Sequence, residues 1–347
     1  MSSLTYTADI SRKIIKYGGS GLIAFVLLWS IGSVSIKAYQ AAHPRYVPPT
    51  VRYGALPKIV FPEKQFEKKS FSFEFTDDKV PTFNDQAKVY IIYRSTVKIL
   101  ALEEGKKVAK QFGFEGDPAE IGEGIYEFKD EKTNKTLNIN VLGGDFNLKY
   151  PYLQDQSILE SKNVPSKTKA IEIASSFLES GNKYTADLKN GEKKTSYWQI
   201  TDGTLKSVLA QSEANIVKVD FYRQNLDDKW QIISPQAGEA SVSVLISGSD
   251  NIDKQIIEAN FKYADIDRES FSTYPIKTVS QAMENLKSGN YWPSSDISAG
   301  NVVIREATLA YYEPVTLAQY LQPIYIFRGD NNFSAFVPAV TDKYLSN

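Results

Sequence analysis

The stretch KTLNINVLGGDFNLKY, residues 135–150, decides the fold class. Leu137, Ile139 and Val141 alternate with Asn138 and Asn140, Gly143-Gly144 turns the chain, and Phe146, Leu148 and Tyr150 alternate with Asn147 and Lys149 on the return. A period of two on both sides of a Gly-Gly turn describes an antiparallel hairpin with one buried face. Upstream, Ala101, Gly105, Val108, Ala109 and Phe112 share one helical face, and Gly113 suits the residue after the helix end. Downstream, Ser166 can cap a helix whose apolar face is Ala170, Ile171, Ala174, Phe177 and Leu178.

The same theme recurs towards the C-terminus. Strands are expected near 198–200, 217–222, 230–233, 242–246 and 256–263, with Asp202-Gly203 and Gly248 to Asn251 as turns. Thr278 and Gln281 offer a capping box for a third helix carrying Val279, Ala282, Met283 and Leu286, closed by Gly289. Strands near 302–312, 323–327 and 333–337 finish the chain. The expected class is α+β: antiparallel sheets, each packed by one amphipathic helix.

Residues 18–36, GGSGLIAFVLLWSIGSVSI, contain no charge. As a helix they would rise roughly 28 Å, close to the hydrocarbon thickness of a bilayer. Arg12, Lys13 and Lys16 precede them, so the expectation is a single-pass, uncleaved N-terminal membrane anchor with a cytoplasmic tail at 1–17 and an extracytoplasmic bulk. Residues 37–70 hold Pro44, Pro48, Pro49, Pro57 and Pro62 and are expected to form a stiff juxtamembrane linker. Residues 71–160 and 161–347 then form a first and a second α+β domain, although the first can equally extend the sheet of the second.

Forty basic and 41 acidic residues leave a net charge of −1, which gives nucleic acid nothing to bind. There is no cysteine, and the one histidine, His43, lies on the linker. Thiolate metal sites and imidazole-based triads therefore lack their parts, and no cofactor or metal is expected. Paired acids remain for a hydrolase, at Asp77-Asp78, Glu103-Glu104, Glu115, Asp117 and Asp227-Asp228. The Asp/Asn/Gly clusters at 250–253 and 330–332 fit turns better than a calcium loop, and Arg328-Gly329-Asp330, which spells an adhesion tripeptide, overlaps the second and suits a tight turn better than integrin-type recognition. Tyr291-Trp292 and Tyr311-Tyr312 suit either a groove for a peptide or glycan, or the core.

The run from Tyr274 through Ala282 to Leu286, then Leu309 to Tyr312, Tyr320 to Phe327 and Phe333 to Ala339, resembles the YycI/YycH-type accessory proteins. The Ala170/Ala174 helix is similar to that of PepSY-like modules. The resemblance covers about residues 165–340, with Tyr325 where those proteins often carry Trp. It implies a bacterial, membrane-anchored, extracytoplasmic regulatory module that touches a membrane or envelope partner and has no catalytic residues. An envelope-polymer binder using Tyr291, Trp292, Tyr311 and Tyr312 is the alternative, and a carboxylate-pair hydrolase the third.

Overall fold

The computed structural model describes residues 25–36, 46–67, 69–93, 98–235, 238–295, 300–314 and 318–346, with Gly18 and Tyr39. The chain divides into two compact units, Met1–Pro48 and Pro49–Asn347. In the first unit, helix α1 (residues 25–36) exposes Phe25, Leu28 and Trp29. Among the described residues no helix is long and apolar enough to cross a membrane. The expected transmembrane helix at 18–36 is thereby corrected. Residues 19–24, the basic positions Arg12, Lys13 and Lys16, and His43 lie outside the described residues.

The second unit is mostly β-sheet, with its strands in two large sheets and few helices, which overturns the expected α+β class. The first sheet has nine strands: β3 (Ala119–Gly122), β4 (Ile125–Asp130), β5 (Lys135–Asn140), β6 (Phe146–Lys149), β7 (Lys193–Thr201), β8 (Thr204–Val208), β9 (Ile216–Phe221), β11 (Val242–Ser247) and β12 (Ile256–Phe261). Their order is β3-β4-β5-β6-β12-β11-β9-β7-β8, antiparallel throughout. The β5–β6 hairpin turns through Gly144 at φ +79°, and Asp202 and Gly203 turn β7 into β8 with φ of 52° and 70°. Two consecutive positive φ values match the right-handed twist of the flanking strands.

One helix per sheet is not what packs here. Helices α2 (Lys98–Gln111) and α4 (Lys167–Ser180) bury Ala101, Ala109, Ala170, Ala174 and Leu178 on the same face of the nine-stranded sheet. Small residues let both helices come close. A Cβ on Gly105 would stand 2.9 Å from Val141 Cγ1, and Phe112 stacks on Phe177 with ring centroids 4.5 Å apart. Two shorter helices, α3 (Gln156–Glu160) and α5 (Ala186–Asn190), flank α4 in sequence.

The second sheet has eight strands: β1 (Ser70–Phe73), β2 (Gln86–Ile92), β10 (Ile232–Ile233), β13 (Ile266–Pro275), β14 (Trp292–Pro293), β15 (Asn301–Tyr312), β16 (Tyr320–Gly329) and β17 (Ser334–Pro338). Its main order is β1-β15-β16-β17-β14, with β10 on β15, and β2 joining β16 to β13. Helix α6 (Val279–Ser288) starts in the expected capping box of Thr278 and Gln281 and ends at Gly289 with φ 85°. It buries Val279, Ala282 and Leu286 against Phe327 and Val337. The expected boundary at 160/161 falls inside this architecture. Strands β3–β6 join β12 of the nine-stranded sheet, while β1 and β2 join the C-terminal strands of the other.

The proline-punctuated segment is a strap on the eight-stranded sheet from Pro49 onward. Val51 N donates to Thr273 O at 3.1 Å, and Leu56, fully buried, bridges to Leu345. Proline has no amide to donate, and two of the prolines serve as acceptors. Gln322 Nε2 donates to Pro57 O and Trp292 Nε1 to Pro62 O, each at 2.8 Å. Phe61 stacks on Trp292 at 5.5 Å. Leu56→Ala is expected to lower stability by about 2–4 kcal/mol, read from urea unfolding of the full chain; a free tether would give no change.

Candidate functional site

The chain crosses between the sheets after β9 and after β12, and a buried ionic cluster occupies the crossing. Arg223, just beyond β9, donates from Nε to Asp187 Oδ2 and from Nη1 to Glu313 Oε1, both at 2.7 Å. Its Nη1 also reaches Ala264 O at 2.8 Å, and its guanidinium lies 4.0 Å from the centre of the Tyr263 ring. Exposure of the three charged side chains is 2 %, 8 % and 3 % for Arg223, Asp187 and Glu313. Glycine is needed alongside: a Cβ on Gly191 would come within 1.8 Å of Tyr222 O.

Both acids are saturated. Asp187 accepts from Thr185 Oγ1 at 2.6 Å and Tyr263 OH at 2.7 Å, and Arg268 Nη2 lies 3.4 Å away. Glu313 accepts from Ala264 N at 2.9 Å and from Ser241 Oγ. Burial pushes the Asp187 carboxyl up, but the Arg223 charge and the hydrogen bonds from Thr185, Tyr263 and Arg223 outweigh it and hold the group at about 2. Burial lowers the pKa of Arg223, and Glu313, Tyr263 and Asp187 more than reverse that. Asp187 is therefore a fixed anion, which is unlike the raised carboxyl a general acid requires.

Beside the cluster lies a cavity of about 680 Å³ between the two sheets. Ile326, Arg328, Ser334 and Phe336, from one face of β16 and β17, line it opposite Tyr222, Arg223 and Gln224. Two buried polar atoms in these lining residues have no hydrogen-bond partner among the described residues, Arg223 Nη2 and Ser334 Oγ. Buried groups of this kind are normally satisfied, so these two stand out in the lining.

The aromatics expected to form a platform are buried. Tyr291 and Trp292 are each 8 % exposed, and Tyr311 and Tyr312 only 1 % and 2 %. Trp292 and Tyr312 share a cluster with Phe336 under Phe61. Tyr291 instead meets Phe71 in the core beneath α6, and Tyr311 meets Tyr90 and donates to Lys88 O at 2.9 Å. Adjacent strand residues point to opposite faces, and both faces of this sheet are covered. The acid pairs are also dispersed: Asp227 pairs with Lys88, Glu104 with Lys107, and Glu103 and Asp117 with Lys106. In the adhesion-like tripeptide, Arg328 pairs with Glu306 and Asp330 with Arg305.

No family model and no curated protein matches the chain. Among solved structures it is similar to an uncharacterized protein from Eubacterium rectale ATCC 33656, with 13 % identity over 73 % of this chain and 82 % of that one and a TM-score of 0.38.

Removing one member of a buried pair strands the other charge. Asp187→Asn is expected to cost on the order of 3 kcal/mol at neutral pH, measured by denaturant unfolding. The sign with pH follows from a depressed carboxyl. Its contribution is complete above the unfolded value of 3.8 and is lost as pH falls through about 2. The variant should lack that segment of the stability–pH curve, and an unchanged curve would contradict the assignment.

Proposed function

We propose that this protein is a non-catalytic interaction module of the cell envelope, and that it binds an extended segment of a protein partner in the cavity between its sheets. The observation that carries the reading is the pairing of an apolar floor, Ile326 and Phe336, with two unpartnered buried polar groups, Arg223 Nη2 and Ser334 Oγ. A guanidinium N–H needs an acceptor, and a hydroxyl can take either role. A peptide chain supplies carbonyl acceptors together with apolar side chains, so one segment satisfies both kinds of wall. Glu192, Lys194, Asp228 and Arg328 give the rest of the lining a polar and charged rim around that apolar floor.

The envelope setting rests on α1, whose Phe25, Leu28 and Trp29 are 68–72 % exposed. Water opposes such a surface, and lipid or an apolar partner favours it. The resemblance to extracytoplasmic regulatory accessory proteins supports the same setting and suggests that the partner is regulated by the contact.

A photo-reactive phenylalanine derivative in place of Gln231, an exposed residue lining the cavity, tests the reading in living cells against the same group at Glu172 on α4. The expected result is a crosslink to one membrane or envelope protein from position 231 only, abolished by Arg328→Glu at the cavity wall. Equal capture from both positions, or capture indifferent to Arg328→Glu, would contradict it.

A further inference from the structure

The nine-stranded sheet has a second face, opposite α2 and α4. At one end it is covered by the cluster of Tyr150, Tyr152, Ile158 and Ile257. Across the rest runs a row of polar side chains in direct cross-strand register: Glu127, Asn138, Asn147, Asn260, Ser243, Asp220 and Lys194. The row passes through seven strands, β4, β5, β6, β12, β11, β9 and β7. Six inter-strand steps make it about 29 Å long.

Three asparagines stand side by side at its centre. Asn147 Nδ2 donates to Asn260 Oδ1 at 2.5 Å, and Asn260 Nδ2 to Glu258 Oε1 at 2.9 Å. Asn138 Oδ1, next in the row, is buried and has no partner among the described residues. A cavity of about 300 Å³ opens on the same face, walled by Trp198, Leu205 and Leu245 on one side and by Ser243, Glu258 and Asn260 on the other. Trp198 Nε1 donates to Ser196 Oγ at 2.7 Å, which fixes the indole beside the polar groups.

We infer that this face is a second binding site, adjoining the inter-sheet cavity at Lys194 and Glu239, and that it takes a neutral oligosaccharide chain. A sugar ring presents C–H faces to an aromatic wall and hydroxyl or acetamido edges to amides and carboxylates, and the cavity offers both surfaces within one pocket. The neighbouring asparagines extend the same amide chemistry along the row, as a chain of successive sugars requires.

Charge decides against a polyanion. Lys129 pairs with Glu127 and Lys218 with Asp220, each at 3.0 Å, and in the cavity lining Glu239 and Glu258 balance Lys218 and Lys262, so no surplus of positive charge is left for a polyanion. A peptide strand is disfavoured as well. The backbones of these strands hydrogen-bond to neighbours on both sides, so the face offers side chains rather than a sheet edge for a peptide to extend.

The test is calorimetry on the full chain in detergent with N-acetylchitohexaose and maltohexaose as neutral probes and a hyaluronan hexasaccharide as the anionic one. At least one neutral probe is expected to bind, with Trp198→Ala weakening it tenfold or more. Because Trp198 also packs on its own sheet, Asn147→Ala serves as the second variant, with an expected loss of about fivefold. Absence of binding by both neutral probes, wild-type affinity in both variants, or tighter binding of the anionic probe would each overturn the assignment. None of these variants touches the inter-sheet cavity, so failure here leaves the protein-partner reading to its own crosslinking test.

Discussion

Arg223 is a cation with 2 % of its side chain exposed, and two carboxylates from distant parts of the chain close on it. Desolvating three charges costs several kcal/mol for each ion, and attraction offsets this only where geometry is good and the remaining hydrogen-bonding capacity is used. The surroundings meet that condition closely. Thr185, Tyr263, Ser241 and Ala264 occupy the acids, and the Tyr263 ring supports the guanidinium from its face. Asp187, Tyr263 and Arg223 come from connections of the nine-stranded sheet, whereas Glu313 directly follows β15 of the other. The cluster therefore sets how the two sheets meet, and with it the cavity that both sheets line.

This dependence explains why the interior looks over-determined near the crossing. Gly191 permits an approach to Tyr222 O that no side chain would allow, and the aromatic layer of Trp292, Tyr312, Phe336 and Phe61 seals the neighbouring face. Residues first considered as a recognition platform thus hold the floor beside the cavity in place. The polar row of the proposed second site lies elsewhere, on half-buried and buried amide and hydroxyl side chains of the nine-stranded sheet.

Local chemistry was readable in the amino-acid sequence, and long-range pairing was not. The capping box at Thr278, the cap at Ser166 and the hairpins through Gly144 and Asp202-Gly203 follow from a few adjacent residues. Nothing local announces that Asn147 will pair with Asn260, 113 residues away, and that pairing merges what looked like separate helix-and-hairpin modules into one sheet. The continuous apolar run in β16 did carry a signal, since strands buried on both faces lose their alternation. It places the adjacent aromatics inside, in agreement with the core alternative for Tyr311 and Tyr312. The buried cluster had no signal of this kind: Asp187, Arg223 and Glu313 are single charged residues 36 and 90 positions apart, in no motif.

The most direct measurement is hydrogen–deuterium exchange by mass spectrometry on Glu313→Gln in the full chain. If the cluster joins the sheets, protection should fall together in the segments around 222–226, 262–266 and 311–314, on both sides of the seam, while the β5–β6 hairpin stays protected. Loss confined to the residues next to position 313 would contradict the account and reduce the cluster to a local contact.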